Sequence, residues 1–162
     1  MAFLRPHIVK NRISDISLDF LREKGIKALL LDVDNTLTTH NNPQSDTVIL
    51  AWLEQVRQAG IAMMLVSNNA GPRVAKFAQK LNMPYTARAA KPLPFGFWRA
   101  AKQLGVKPRE TLVIGDQIFT DIWGGRLFGA QTVWVQPIEP ETGPFFRLKR
   151  RWEARFYTTQ NK

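Results

Sequence analysis

Short runs of consecutive apolar residues alternate with longer segments of helical periodicity along this chain. The clearest runs cover residues 28–31, 61–66 and 111–114. Consecutive rather than alternating apolar residues are typical of parallel strands that are covered on both faces. Between the runs, apolar residues recur every three or four positions, as at Val74, Phe77 and Leu81, and this periodicity predicts amphipathic helices.

The alternation predicts an α/β fold, a doubly wound parallel sheet whose strands, numbered in chain order, are arranged 3-2-1-4-5. Gly60, Gly105 and Gly129 stand where helices are predicted to end, a position that favours glycine. The predicted elements are a helix ending near Gly25, strand Ala28–Asp32, helix Thr47–Ala59, strand Ile61–Val66, helix Arg73–Leu81, short strand Tyr85–Ala87, helix Pro94–Leu104, strand Thr111–Ile114, helix Thr120–Phe128 and strand Gln131–Val135.

The length of 162 residues fits a single domain over 1–162 that buries roughly 70% of its unfolded surface. Within it we expect an N-terminal helical extension over 1–27 and a basic C-terminal segment over 138–162. The segments 38–46 and 68–90 are too short for an inserted lid, so we expect no separate cap domain. An uncapped site requires a large substrate or a lid from a partner subunit, which leaves oligomerisation open.

Two acids follow the first predicted strand. Asp32 and Asp34 are one residue apart, and Thr36 comes directly after them. Like charges this close raise the pKa of one carboxyl, so such a pair usually has a cation or a proton-transfer task to offset the repulsion. The alternative is a solvated turn, because Asp and Asn are common turn residues.

Further polar residues follow the later strands or precede a helix. Ser67 and Asn68 end the second apolar run just before a helix begins, which outlines an anion site because a helix N-terminus favours phosphate. Taken without the other residues, Ser67 is interpreted as an ordinary loop residue and Lys91 as a solvated charge. Asp116 and Asp121 follow the fourth strand. In an open parallel sheet these loops share one edge, where ligands bind at the topological switch point.

The order of these residues resembles that of the haloacid dehalogenase superfamily of phosphotransferases. More closely, the chain is similar to the YqeG group, which includes or resembles phosphatidylglycerophosphate phosphatases. The segments that carry the resemblance are Leu31-Asp32-Val33-Asp34-Asn35-Thr36-Leu37, Val66-Ser67-Asn68-Asn69, Ala90-Lys91-Pro92 and Gly115-Asp116-Gln117 through Thr120-Asp121.

The resemblance implies a phosphomonoesterase that forms an aspartyl-phosphate on Asp32, the nucleophile. Asp34 would donate a proton to the leaving alkoxide and later accept one from water. Lys91 would hold Asp32 and neutralise the charge of the transferring phosphoryl group. Because Asp34 and the other motif residues are present, a dehalogenase or an ion pump is disfavoured.

The resemblance also implies that phosphoryl oxygens are bound by Thr36, Ser67, Asn68 and Lys91. A divalent cation would be held by Asp32, Asp116, Asp121 and the backbone carbonyl of Asp34, with Asp121 as a second or outer ligand. Oxygen ligands next to a substrate phosphate are the usual setting of Mg²⁺, so Mg²⁺ is the expected cofactor.

The chain contains no Cys and two His, His7 and His40, so a zinc site is disfavoured. We expect both His to be structural or exposed, although His40 follows the first motif and could approach the site. No apolar run reaches the length of a transmembrane helix, and Met1–Asp15 lacks the apolar stretch of a secretory signal. We therefore expect a cytoplasmic protein that can visit the inner membrane surface.

The formal net charge is +10, which favours anionic partners. The C-terminal segment carries much of this charge together with an apolar stripe at helical spacing. Three interpretations remain open for it: an interfacial helix on anionic phospholipid, a helix packed on the domain, and, as a weaker interpretation, a nucleic-acid-binding patch. The basic residues are Arg147, Lys149, Arg150, Arg151 and Arg155, and the stripe is Phe145, Leu148, Trp152 and Phe156.

Three functions therefore remain open. The first is a Mg²⁺-dependent phosphomonoesterase with phosphatidylglycerophosphate as the substrate that the resemblance implies. The second is a phosphatase of the same mechanism that acts on a phosphorylated protein, sugar or nucleic-acid end. The third is a non-catalytic binding protein of the same fold, against which the complete set of motif residues argues.

Overall fold

A six-stranded parallel sheet forms the centre of the protein. The computed structural model describes residues 2–39, 45–140 and 143–157. The strands lie side by side in the order β1-β6-β5-β2-β3-β4. They are β1 (Ile8–Lys10), β2 (Ala28–Leu31), β3 (Ala62–Val66), β4 (Tyr85–Thr86), β5 (Thr111–Gly115) and β6 (Gln131–Val135).

Helices connect the strands and cover the sheet. They are α1 (Leu18–Glu23), α2 (Thr47–Gln58), α3 (Gly71–Leu81), α4 (Phe95–Leu104), α5 (Trp123–Phe128) and α6 (Pro144–Tyr157), with 3₁₀ turns at Ala2–Leu4, Ile13–Asp15 and Pro108–Glu110 and a π-helical turn at Ile118–Ile122.

The central strand β2 is buried on both faces, as its run of consecutive apolar residues predicts. Leu29 and Leu31 pack in one apolar cluster with α2 and the N-terminal turns, whereas Leu30 packs in another with α4 and α5. Trp52 connects α2 to the N-terminal segment in the first cluster, because its indole N–H donates to the Ile16 carbonyl over 2.7 Å. Two apolar layers therefore fix β2, whose carboxyl end leads into Asp32.

The predicted fold class is confirmed, and the five predicted strands lie in the predicted order. The sheet has one further strand, because β1 pairs in parallel with β6 through Ile8↔Val133 and its neighbours. The prediction that 1–27 is a helical extension is therefore corrected: this segment holds β1 as well as α1. Three residues are too few to show a strand period.

Two other predictions compare with the structure as follows. The helix predicted over Thr120–Phe128 is a π-helical turn followed by the short α5. Among the described residues no separate cap domain is present, since α3 and β4 fill the chain between β3 and the loop before α4. The assignment of 1–162 to one domain stays a prediction.

Candidate active site

The loops that leave β2, β3 and β5 meet at the carboxyl edge of the sheet. Asp32 directly follows β2, Ser67 follows β3 and Asp116 follows β5. The backbone N–H of Asp32 still donates to the Ile114 carbonyl over 2.9 Å, which extends the sheet by one rung. The predicted site residues are thus brought together by the parallel topology, as expected for the switch point of such a sheet.

The ammonium group of Lys91 is the centre of the site. Lys91 Nζ donates to Asp32 Oδ1 over 2.7 Å, to Asp121 Oδ1 over 2.6 Å and to the Val66 carbonyl over 2.8 Å. Its side chain is only 3% exposed. An ammonium has three N–H donors, and all three have a partner here. The position of the nitrogen is therefore fixed by two carboxylates and one backbone carbonyl.

The loop that carries Lys91 is held by Asn68. Asn68 Oδ1 accepts the Lys91 backbone N–H over 2.7 Å, and Asn68 Nδ2 donates to the Lys91 carbonyl over 3.0 Å. A phosphate contact from this side chain would therefore have to replace one of two hydrogen bonds, and the predicted phosphate-binding role of Asn68 stays a prediction. Gly96 lets α4 approach this loop, because a Cβ there would lie 2.7 Å from Ala89 Cβ.

Asp121 reaches Lys91 from the π-helical turn after β5. Its Oδ2 accepts the Gln117 backbone N–H over 3.2 Å, so both carboxylate oxygens have donors. The carboxylate lies directly over Gly115, since a Cβ at that glycine would be 2.3 Å from Asp121 Cγ. Glycine is therefore required at 115 for Asp121 to occupy its place beside Lys91.

Asp32, Asp116 and Asp121 form an acidic cluster in which one carboxylate oxygen of each lies within 4.8 Å of the others. Asp116 Oδ1 is buried and has no hydrogen-bond partner within the described part of the chain. Buried polar atoms without a partner are rare and call for an ion or water. An all-oxygen donor set with one unpaired oxygen fits a hard divalent cation such as Mg²⁺.

Asp34 lies apart from this cluster. Its carboxylate accepts from the side-chain amide of Asn69 and forms an ion pair with Arg73 at the start of α3. The predicted metal contact of Asp34 involved its backbone carbonyl, and it stays a prediction. The structure therefore separates the two acids of the first motif, with Asp32 facing Lys91 and Asp34 facing α3.

The charges of the cluster do not balance within the protein. Its three carboxylates are paired with two cations, Lys91 and Arg150, and Arg150 is shared with a fourth buried carboxylate, that of Glu153, so the carboxylates outnumber the cations. Burial raises the pKa of Asp32 to about 7 against the opposing charge of Lys91, and the charge of Asp121 adds to the rise. Burial and the charge of Asp32 raise the pKa of Asp116 well above its ordinary value, although Arg150 opposes this.

The charge state of Lys91 is fixed by the same cluster. Burial alone would lower the pKa of Lys91, but the carboxylates of Asp121 and Asp32 outweigh it and raise that pKa above its ordinary value. This direction favours the cationic form of Lys91. A divalent cation would offset the excess of carboxylates over cations, which would let a phosphate anion approach the cluster.

Two hydroxyl groups lie in the loops after β2 and β3. Thr36 Oγ1 is buried and accepts or donates no hydrogen bond among the described residues. Ser67 Oγ accepts the Asn69 backbone N–H over 3.1 Å and keeps its own hydrogen for a ligand. Both hydroxyls can therefore donate to a phosphoryl oxygen, as the sequence predicts, and these roles stay predictions.

The sequence did not reveal that α6 completes the site. Glu153 is buried, and its Oε1 accepts the backbone N–H groups of Ile118 and Phe119 over 3.0 and 3.4 Å. Arg150 donates to Glu153 Oε2 over 2.9 Å and forms an ion pair with Asp116. The C-terminal helix thus binds two parts of the site. These are the π-helical turn that carries Asp121 and, before that turn, the metal-ligand candidate Asp116.

These contacts support the packed-helix interpretation for one face of the basic segment, and the membrane and nucleic-acid interpretations stay predictions for its exposed face. Helix α6 packs on the domain through Lys149, Arg150, Glu153 and Phe156, the last with its ring 6.3 Å from that of Phe119. Arg150 and Phe156 therefore have their contacts within the protein. Trp152 remains 53% exposed on the other face, with Arg155 stacked over its ring.

Asn69 belongs to the predicted anion loop but was given no specific role, and Arg73 beside that loop was missed. The signal available for Arg73 was its position in the first turn of a helix that begins beside Ser67.

His7 is structural: its ring contacts Thr132 and Arg126 beside the edge strand β1, and burial lowers its pKa. His40 lies outside the described residues.

Comparison with known proteins gives the class to which this fold and site belong. Residues 42–129 match the family of haloacid dehalogenase-like hydrolases. The chain belongs to this family and, within it, to the YqeG-like phosphatases, which confirms the resemblance and makes the protein a phosphomonoesterase. It is 35% identical over 153 residues to the "Probable phosphatase YqeG" of Bacillus subtilis, covering 94% of this chain and 88% of that protein.

Two further comparisons bear on substrate and fold. Phosphatidylglycerophosphate phosphatase 1 of the Chlamydomonas reinhardtii chloroplast is 27% identical over 93% of this chain and 61% of that protein. The cobalt-bound deoxy-D-mannose-octulosonate 8-phosphate phosphatase of Haemophilus influenzae superposes with a TM-score of 0.56 at 15% identity, covering 86% of this chain and 91% of that chain. This second likeness shows the fold alone.

Replacing Gly115 by Ala should displace Asp121 from Lys91, because the new methyl group overlaps the Asp121 carboxylate. We expect kcat/KM to fall roughly 10- to 100-fold and the free energy of unfolding to fall by about 1–3 kcal/mol. Phosphatase kinetics and urea denaturation measure the two effects. Gly71→Ala is the matched control, since no atom lies within 4 Å of a Cβ at 71; equal effects of both substitutions would contradict the assignment.

Replacing Glu153 by Ala should leave the N–H groups of Ile118 and Phe119 without this acceptor and remove one of the two carboxylates that pair with Arg150. We expect a loss of about 3 kcal/mol in the free energy of unfolding at neutral pH, together with reduced activity because the turn that carries Asp121 loosens. Glu23→Ala, at an exposed position on α1, serves as the control. If Glu153→Ala is no more destabilising than Glu23→Ala, α6 is not packed as described.

Proposed function

We propose that the phosphomonoesterase reaction proceeds through an aspartyl-phosphate on Asp32, depends on Mg²⁺, and has phosphatidylglycerophosphate as a substrate. The observation that carries the proposal is the three-way contact of Lys91 with Asp32, Asp121 and the end of β3. It fixes Oδ1 of Asp32 in place. Oδ2 of Asp32, which accepts no hydrogen bond among the described residues, is the oxygen that attacks phosphorus.

In the first step, Asp32 Oδ2 forms a bond to phosphorus as the bond from phosphorus to the alkoxide oxygen breaks. Asp34 gives its proton to that oxygen, so the alcohol leaves neutral. In the second step, Asp34 takes a proton from water, the water oxygen bonds to phosphorus, and the bond to Asp32 breaks to release inorganic phosphate. Asn69 and Arg73 keep Asp34 oriented for both transfers.

Groups on three loops stabilise the negative charge of the transferring phosphoryl group. Lys91 stays cationic and lies against the nucleophile, while the hydroxyls of Thr36 and Ser67 donate to phosphoryl oxygens. Mg²⁺, held by Asp32, Asp116 and the carbonyl of Asp34 with Asp121 beside them, would supply the charge that lets a carboxylate approach a phosphate anion. Arg150 and Lys91 keep the carboxylates of this set in place.

Two observations support the lipid substrate. The Chlamydomonas relative is named for phosphatidylglycerophosphate, and the described residues include no cap domain that would exclude a large substrate. A phosphorylated protein, sugar or nucleic-acid end is the alternative. Within the described residues, no helix has the length and apolar content to cross a bilayer; the cytoplasmic location and a visit to the inner membrane surface stay predictions.

A substrate panel with a nucleophile variant tests this proposal. With Mg²⁺, wild-type protein should hydrolyse p-nitrophenyl phosphate and phosphatidylglycerophosphate in mixed micelles, and EDTA should abolish both activities. Asp32→Asn should lower kcat by at least ~10³-fold, because an amide cannot form the acyl-phosphate, while circular dichroism shows the fold intact.

Asp19→Asn is the matched control, since Asp19 is an exposed carboxylate on α1. Residual Asp32→Asn activity within tenfold of wild type would sink the nucleophile assignment. Full activity in EDTA would contradict the proposed dependence on Mg²⁺. Faster hydrolysis of phosphosugars or phosphorylated oligonucleotides than of the lipid would favour the alternative substrates.

A further inference from the structure

A groove of about 400 Å³ lies along α3, from Pro72 to Lys80, beside Asp34 and Asn69. We call it the α3 groove. Residues of the loops after β2 and β3 line it together with residues of α3. Its lining residues are Val33, Asp34, Thr38, Asn69, Pro72, Arg73, Val74, Lys76, Phe77 and Lys80.

The position of Asp34 makes the α3 groove the exit path of the leaving group. A general acid must lie within hydrogen-bond reach of the oxygen that it protonates. Asp34 faces α3 rather than the acidic cluster, because Asn69 and Arg73 hold its carboxylate there. The alcohol part of a substrate bound to Asp32 therefore extends past Asp34 into the α3 groove. This step rests on the function proposed above.

The charges of the α3 groove are almost all positive. Arg73, Lys76 and Lys80 line it, and Asp34 is the one acid among its lining residues. Arg73 is paired with Asp34. The side chains of Lys76 and Lys80 are exposed and form no ion pair or hydrogen bond among the described residues, so their charges are available to a ligand.

The spacing of these cations follows from the helix. At a rise of 1.5 Å per residue, Lys76 lies roughly 4.5 Å and Lys80 roughly 10 Å beyond Arg73 along the axis. Residues three and four apart share a helix face, so Lys76 and Lys80 are neighbours. Phe77 and Val74, both buried, give the groove an apolar base. The geometry suits an anion joined to the scissile phosphate by a short linker.

We propose that the α3 groove binds a second phosphate-type anion on the leaving group, through Lys76 and Lys80. The preferred substrates are then phosphomonoesters whose alcohol carries a phosphodiester or a second phosphate a few bonds away. A simple monoester fills only the site around Asp32. This second anion can belong to a phospholipid head group or to a free bisphosphate, and the substrates compared below distinguish the two sources.

The experiment compares substrates that differ in the second anion. They are glycerol 3-phosphate, which lacks it, the deacylated head group glycerophosphoglycerol phosphate, dihexanoyl phosphatidylglycerophosphate and fructose 1,6-bisphosphate. Lys76→Gln/Lys80→Gln is compared with Lys24→Gln/Lys102→Gln, which removes the same charge from exposed positions on helix ends that lead into the opposite edge of the sheet.

We expect the ratio of kcat/KM for the deacylated head group to that for glycerol 3-phosphate to fall about tenfold in the Lys76/Lys80 variant. The loss should lie in KM and shrink at high salt, and the control pair should keep the wild-type ratio. A matching loss for the dihexanoyl lipid indicates the head group as the source, and a loss for fructose 1,6-bisphosphate indicates a free bisphosphate. An unchanged ratio overturns the inference.

Binding separates failure of this inference from failure of the proposed function. Calorimetric titration of Asp32→Asn protein with the deacylated head group should show tighter binding than with glycerol 3-phosphate, and the Lys76/Lys80 substitutions should remove the difference. If no ester is turned over but this difference is found, the α3 groove stands and the hydrolytic proposal fails. If turnover is normal and binding shows no difference, the groove assignment fails alone.

Discussion

The contact of the Lys91 ammonium with two carboxylates and a carbonyl is the interaction on which the site depends. Each partner comes from a different strand end: Asp32 from β2, the Val66 carbonyl from β3 and Asp121 from the turn after β5. A buried charge is costly unless it is fully paired, so these three contacts are what allows Lys91 to be buried at the edge of the sheet. Asn68 and Gly115 serve it by fixing the Lys91 loop and by giving Asp121 its space.

A second consequence concerns the chain far from the motifs. Because one ammonium cannot offset three carboxylates, the edge needs another cation, and α6 supplies Arg150 to Asp116. Glu153 then forms an ion pair with Arg150 and accepts from the Ile118 and Phe119 N–H groups of the turn after β5. The C-terminal helix is thereby part of the electrostatics of the site. The remaining excess negative charge is what a divalent cation would offset.

Sequence patterns predicted most of the site because its residues follow strand ends. Asp32, Ser67 and Asp116 stand directly after buried apolar runs, and a parallel sheet brings such positions together. The edge strand β1 was missed because three residues carry too little periodicity. The role of α6 was open because a basic amphipathic helix satisfies both a membrane surface and a protein surface. No local signal separates the packed Arg150 from the exposed Arg151.

A double-mutant cycle between Lys91 and Asp121, measured as the free energy of unfolding at pH 8, tests the central interaction most directly. Lys91→Met should cost roughly 3–5 kcal/mol because it strands two buried carboxylates. Asp121→Asn should cost much less in the Lys91→Met background than in wild type, with a coupling of at least ~2 kcal/mol. Additive losses from the two substitutions would contradict the account, because Lys91 would then not be held by Asp121.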